Sequence, residues 1–349
     1  MGRGASPLKP HRFLVIGCGS IGTRHARNLL AVGQTQVFAY DTSSERRDEI
    51  SRELGVATVD HLAAGWDMSP DVAIIATPTS SHLPLALEAT RRRCHFFVEK
   101  PLSDSLEDVT ELVAAVADAG LVSLVGCNMR FHPGVRALKN LVDSGMLGAI
   151  LSAHFEVGQY LPDWRPSIDY RTTYSAQREL GGGIILDAIH ELDYATWLLG
   201  DVSDVACFAD HLSGLEIDTE DVASILLRFG NGTIAEVHLD YVQRAYSRSC
   251  KLVGELGTAR WDYNKPELDL YLADDGEWTS VHLFDEWDPN TMYLDELRHF
   301  LRCLDGEEEP LVDVKTGARS LSLAVAAKRA SAERRAVSPA SLTAEPGPR

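Results

Sequence analysis

Short, almost uninterrupted apolar runs recur through the first third of the chain. Phe13-Leu14-Val15-Ile16, Val37-Phe38-Ala39-Tyr40, Val72-Ala73-Ile74-Ile75-Ala76, Phe96-Phe97-Val98 and Val122-Ser123-Leu124-Val125-Gly126 are too short for buried helices and lack the polar alternation of a half-exposed strand. They predict strands covered on both faces, the condition of a parallel sheet. Residues 23–30, 83–93 and 106–119 lie between them and read as helices, so the alternation predicts an α/β fold with a doubly wound parallel sheet. From residue 150 the pattern changes. Residues 150–159, 223–229, 232–238 and 249–253 read as strands, with hairpin signals at Phe229-Gly230-Asn231-Gly232 and around 254–261. Residues 289–304 and 316–334 read as helices. These elements predict a flexible N-terminus over 1–10, an α/β domain over 11–128, an α+β domain with meander-like, antiparallel strand patterns over 129–335, and a disordered tail over 336–349.

Two motifs give the first domain its chemistry. Gly17-Cys18-Gly19-Ser20-Ile21-Gly22 follows the first strand directly and opens a helix, and the second strand ends in Asp41, 19 residues after Gly22. In that context the glycines are a dinucleotide fingerprint. Gly17 permits the tight turn, Gly19 the approach of the pyrophosphate and Gly22 close helix–strand packing, with the helix N–H groups facing the phosphates. Asp41 accepts hydrogen bonds from ribose hydroxyls and repels a 2′-phosphate, which favours NAD over NADP; Arg46 and Arg47 are the competing phosphate-binding candidates. The second motif is Glu99-Lys100-Pro101-Leu102 at the carboxyl end of a later strand. Ligands of open parallel sheets bind outside those ends, so Lys100 is placed to handle a proton or a developing negative charge beside the nicotinamide. Ala76-Thr77-Pro78, ending another strand, is expected against the same half of the cofactor.

Composition narrows the alternatives. A net charge of −18 argues against nucleic-acid binding, because a phosphate backbone requires a basic face. No apolar run is long enough to span a bilayer, and the basic, proline-containing start does not read as a secretory signal. Six scattered cysteines without a Cys-x-x-Cys pair suit free thiols in a cytoplasmic protein, and Cys18 reads as a small residue tolerated in the glycine turn. His211, His238 and His282 have no partners at metal-ligand spacing, and no metal is expected.

The runs Gly17 to Gly22 with Thr23-Arg24-His25, Ala76-Thr77-Pro78 with His82, Glu99-Lys100-Pro101-Leu102, Gly126-Cys127-Asn128-Met129-Arg130-Phe131 and Gly181-Gly182-Gly183-Ile184-Ile185-Leu186-Asp187 fall in the order and spacing of one family. From Phe13 to about Arg329 the chain resembles the glucose–fructose oxidoreductase / inositol dehydrogenase (Gfo/Idh/MocA) family. That resemblance implies a Rossmann domain followed by a domain built on a mostly antiparallel sheet, which often mediates homodimers or homotetramers. It implies hydride transfer between NAD and a hydroxyl of a sugar, sugar derivative or cyclitol. It makes Lys100 the lysine beside the nicotinamide, His190 the general acid/base and Asp187 the carboxylate near that histidine, and it adds Ala76, Thr77, Pro78, His82, Glu99, Asn128 and Arg165 to the cofactor site and Arg130 to the substrate site.

The chain departs from the family pattern in one place. Only Ala188 and Ile189 separate Asp187 from His190, where three residues are common. On a continuous helix positions three and four apart share a face, so Glu191 becomes a rival acid/base; His190 is preferred because histidine titrates near neutrality. Upstream, Tyr160-Leu161-Pro162-Asp163-Trp164-Arg165-Pro166 and Asp169-Tyr170-Arg171 combine aromatic faces, which stack on sugar C–H surfaces, with groups that hydrogen-bond hydroxyls. Tyr160, Trp164, Arg165, Tyr170 and Arg171 are therefore binding candidates, and 240–244 is read equally as cleft lining or exposed strand end. Two other functions stay open: an enzyme using NAD without net redox, for elimination or glycoside cleavage, and a non-enzymatic nicotinamide sensor.

Overall fold

A computed structural model describes residues 9–339. The chain divides into two compact units. The first holds the described residues through Ser103, with Asp108–Asn128 and Pro289–Gly317; the second holds Asp104–Glu107, Met129–Asp288 and the described residues from Ala318.

The first unit contains six parallel strands: β1 (Arg12–Ile16), β2 (Gln36–Tyr40), β3 (Ala57–Thr58), β4 (Val72–Ile75), β5 (His95–Glu99) and β6 (Ser123–Gly126), in the order β3-β2-β1-β4-β5-β6. The five longer strands are the apolar runs of the sequence, and Phe13, Val15, Ala39, Ile74 and Phe97 are fully buried, as strands covered by helices on both faces require. Strand order reverses between β1 and β4, so the turn after Ile16 and the turn after Ile75 open on one crevice. The helix Asn290–Leu304 belongs to this unit and not to the second domain where its sequence position put it. Leu297, Phe300 and Leu301 join the same core cluster, with the Phe300 ring edge-on to Phe97 at 5.9 Å.

The second unit is built on eight strands: β7 (Ile150–Gly158), β8 (Val202–Asp210), β9 (Val222–Phe229), β10 (Ile234–Asp240), β11 (Ser247–Gly254), β12 (Gly257–Asp262), β13 (Glu267–Leu272) and β14 (Trp278–His282), in the order β14-β13-β12-β11-β7-β10-β9-β8. Every pairing is antiparallel except β7 with β10. Alternation is strict in β9, where Ala223, Ile225, Leu227 and Phe229 are buried while Ser224, Leu226 and Arg228 are exposed. The buried face packs on the helix His190–Leu199, where Phe155 meets Tyr194 at 5.5 Å. The other face carries Leu226, Ile234 and, most exposed at 82%, Phe208.

Of the segment read as a tail, residues 336–339 are ordered into the second unit. Val337 bridges Val205 and the Pro339 carbonyl accepts from Ser322. Residues 1–8 and 340–349 lie outside the described residues. Among the described residues no helix is long and apolar enough to cross a membrane.

Candidate functional site

The glycine turn of the first unit is shaped for a dinucleotide. Gly17 has φ +96° and donates its N–H to the Tyr40 carbonyl at 2.8 Å; a side chain there would stand 2.5 Å from the Ala76 oxygen. A side chain on Gly22 would meet the Gly17 oxygen at 1.8 Å, so Gly22 lets the helix Ser20–Ala31 sit against the turn. Gly19 differs: a Cβ would meet nothing within 4 Å, and no side chain caps the helix that starts behind it. That open, uncapped start leaves first-turn N–H groups for a pyrophosphate, so the residues present fit a dinucleotide.

Asp41 follows β2 and is 6% exposed. One carboxylate oxygen accepts the Cys18 N–H at 2.8 Å and the other accepts the Ser43 N–H at 2.9 Å, which holds the carboxylate at the turn. Neither rival arginine is arranged as a phosphate clamp. Arg47 donates to the Asp41 carbonyl at 2.7 Å and pairs with Asp60, and Arg46 lies 3.7 Å from the Asp41 carboxylate. Burial, with the Asp41 charge adding to it, pushes the Cys18 thiol up to about 12, so it is inert near neutrality. All six cysteines are buried free thiols.

Lys100 directly follows β5, two positions along the sheet from the glycine turn. Glu99 turns its side chain to the helix Ser20–Ala31, where an oxygen lies 2.7 Å from Nε2 of the buried His25, and its other oxygen accepts the Lys100 N–H at 3.3 Å. Burial raises this carboxyl, but the His25 hydrogen bond and charge, with Lys100 and His82, carry it net below the usual carboxylate range. Asn128, read as a cofactor ligand, is 5% exposed just after β6. His82, expected to touch the cofactor, is 1% exposed and turns both ring nitrogens to backbone carbonyls, of Pro101 at 2.7 Å and Thr77 at 2.9 Å. Its ring nitrogens are thus engaged within the fold.

In the second unit the segment bearing Asp187 and His190 is not one helix. Ile184–Asp187 is a single turn that stops at Ala188 (φ −94°, ψ 30°), and a new helix runs over His190–Leu199. The expected shared helical face is therefore replaced by two short segments meeting at Ala188-Ile189. Asp187 is 4% exposed and accepts three hydroxyls: Tyr174 at 2.7 Å, Ser175 at 2.6 Å and Tyr241 at 3.0 Å. His190 is 8% exposed at the start of its helix. Glu191 points elsewhere. It is fully buried, 2.8 Å from the Arg248 guanidinium, and accepts from the Tyr194 hydroxyl at 3.3 Å. Burial raises its carboxyl against the pull of Arg248. The rival acid/base candidate Glu191 is thus placed in a buried ion pair in the core of the second unit.

Arg130, read as a substrate contact, is also held in a buried ion pair. It is 3% exposed and grips Asp193 through two nitrogens, each at 2.8 Å, while Ser320 donates to the same carboxylate. The aromatic loop divides. Trp164, Arg165 and Tyr170 line one open cavity together with Ser175, the hydroxyl that also holds Asp187. Tyr160 instead lies under the Arg244 guanidinium at 3.6 Å, and Arg171 is tied at the surface to Asp169 and Glu216. His25, Tyr174, Ser175 and Arg248 escaped sequence reasoning as working groups, and Tyr241 was seen only as part of an ambiguous strand end. Their partners lie 12 to 74 positions away, beyond any local pattern. Among the described residues no group of three His, Cys, Asp or Glu could hold a metal ion.

Residues 11–127 match the model of an oxidoreductase family with an NAD-binding Rossmann fold, and residues 135–260 match the Gfo/Idh/MocA C-terminal domain. The chain is 30% identical over 340 residues to a myo-inositol 2-dehydrogenase of Thermotoga maritima, covering 93% of this chain and 98% of the relative. It is also 30% identical over 229 residues to the 2,7-anhydro-N-acetylneuraminate hydratase of Escherichia coli, covering 63% and 59%. In fold it resembles a levoglucosan dehydrogenase solved with NADH and levoglucosan, with a TM-score of 0.85 at 21% identity over 95% of this chain and 99% of that one. With both domain models matched in order along a chain whose glycine turn, Asp41 and Lys100 border one parallel sheet, this protein belongs to the Gfo/Idh/MocA family of NAD-binding oxidoreductases.

Proposed function

We propose that the protein is a dehydrogenase that moves a hydride between NAD and a secondary hydroxyl or ketone of a sugar, sugar derivative or cyclitol. The observation that carries this is Lys100, set at the carboxyl end of β5 in the sheet whose β1 turn is shaped for the dinucleotide. Relatives named for inositol oxidation support the substrate class. NAD, when bound, supplies the nicotinamide that accepts or donates the hydride. In the oxidising direction His190 takes the hydroxyl proton, and Lys100 stabilises the alkoxide charge as it develops. Asp187, held by the hydroxyls of Tyr174, Ser175 and Tyr241, lies in the same unit as His190. Trp164, Arg165 and Tyr170 offer ring faces and donors to a polyhydroxylated ring.

A screen of sugars and inositols with NAD⁺ and NADP⁺, followed by the absorbance of reduced nicotinamide, tests the reading. It predicts oxidation of at least one polyol, with kcat/KM favouring NAD⁺ by about tenfold or more, an effect of roughly 1.4 kcal/mol. A clear preference for NADP⁺ would show that Arg46 or Arg47 outweighs Asp41. The resemblance to a hydratase favours a second reading, in which NAD is used without net turnover. That enzyme would form no free NADH yet would exchange a substrate C–H for solvent deuterium.

The reading extends to a cytoplasmic homodimer or homotetramer joined through the open face of the eight-stranded sheet. Leu226 and Ile234 lie on that face, at positions paired with Glu236 and Arg228, and Phe208 pairs with Ser224 beside them. Exposed apolar side chains this large, grouped on one face, are the mark of an interaction surface. Phe208→Glu combined with Leu226→Glu is expected to shift the protein to monomers in sedimentation analysis. An unchanged oligomer in that variant would move the interface elsewhere.

A further inference from the structure

Lys100 stands between two buried histidines. On its amino side, Glu99 is fastened to His25, which is 1% exposed and lies edge-on to Phe97 at 4.8 Å. On its carboxyl side, the Pro101 carbonyl lies 2.7 Å from Nδ1 of His82, and Nε2 of the same ring lies 2.9 Å from the Thr77 carbonyl. Thr77 belongs to the turn after β4 and Pro101 to the turn after β5, and β4 and β5 are neighbours in the sheet. A single rigid ring therefore lies between two adjacent strand ends, directly beside Lys100, and burial favours its neutral form, which donates to one of the two carbonyls. Carbonyl oxygens only accept, so the ring donates one hydrogen bond when neutral and both when protonated.

We propose that His82 is a positioning residue for Lys100, a role that rests on Lys100 acting in the reaction proposed above. A lysine ammonium is a point charge on a flexible stem, so where it stands depends on where its backbone is held. Glu99–His25 fixes the backbone before it and His82 fixes the backbone after it. Displacing a reacting group by an ångström costs on the order of 100-fold in rate.

The test compares His82→Leu, His82→Gln and Lys100→Met with the wild type, using the polyol most active in the screen and NADH titration by fluorescence. His82→Leu is expected to bind NADH within about twofold of the wild type while kcat falls about 100-fold, with the pH profile of kcat displaced and the polyol KM little changed. His82→Gln keeps one donor for one carbonyl and is expected to recover part of the loss. An unchanged kcat and pH profile in His82→Leu, beside an inactive Lys100→Met, would overturn the positioning role and leave Lys100 in place. Full activity in Lys100→Met would remove the underlying reading instead. Loss of NADH binding together with turnover in both His82 variants would make His82 a fold residue and also overturn the proposal.

Discussion

Lys100→Met is expected to lose turnover by about three orders of magnitude while binding NADH within about twofold of the wild type. Methionine preserves the apolar length of the side chain and leaves the backbone N–H that donates to Glu99 untouched. What it removes is the ammonium. A positioned proton-transfer group contributes roughly 10²–10⁴-fold, and one well-placed donor to a developing oxyanion about 10²–10³-fold, so a lysine serving either purpose gives a loss of this size. Cofactor affinity has other sources, in the open start of the helix Ser20–Ala31 and in Asp41, which the substitution leaves alone. Comparable turnover in the variant would exclude Lys100 from the chemistry. Loss of NADH binding would show that it holds the cofactor instead.

The second large effect concerns stability. Asp193→Ala is expected to destabilise the second unit by about 3–5 kcal/mol, because it leaves the Arg130 guanidinium buried without its bidentate partner. For a unit of this size that lowers the thermal midpoint by roughly 10 °C. The effect is a penalty for stranding a charge, not the net worth of the pair. Arg130→Met combined with Asp193→Leu, which strands no charge and removes only the acceptor of the Ser320 hydroxyl, is therefore expected to recover most of the loss in a calorimetric scan. The double variant also decides the assignment of Arg130 against the sequence expectation: polyol KM stays near wild type if the arginine is scaffold and rises strongly if it binds substrate.

The contrast between Lys100 and Arg130 shows what the sequence made legible. Lys100 follows a continuous apolar run, and its place at the carboxyl edge of a parallel sheet could be read from that run alone. Arg130 and Glu191 also sit beside motif residues, but the partners that bury them, Asp193 and Arg248, are 63 and 57 positions away. Charge in a motif reads as function until tertiary structure reveals the counter-charge. The break between Asp187 and His190 was hidden for a different reason, since Ala188 and Ile189 include neither proline nor glycine. The helix Asn290–Leu304 was recognisable from its periodicity, which shows that one face is apolar but not which core it joins.

That helix sets a limit on how the protein can be divided. A fragment ending at residue 128 would contain every strand of the six-stranded sheet and the whole dinucleotide fingerprint. It would lack Leu297, Phe300 and Leu301, and Phe97 would present its ring to water. The nucleotide-binding half is thus completed only after the chain has passed through the other half and come back. It cannot serve as a transferable cassette, and any recombination that exchanges one half for a relative's must carry two separated stretches of sequence together.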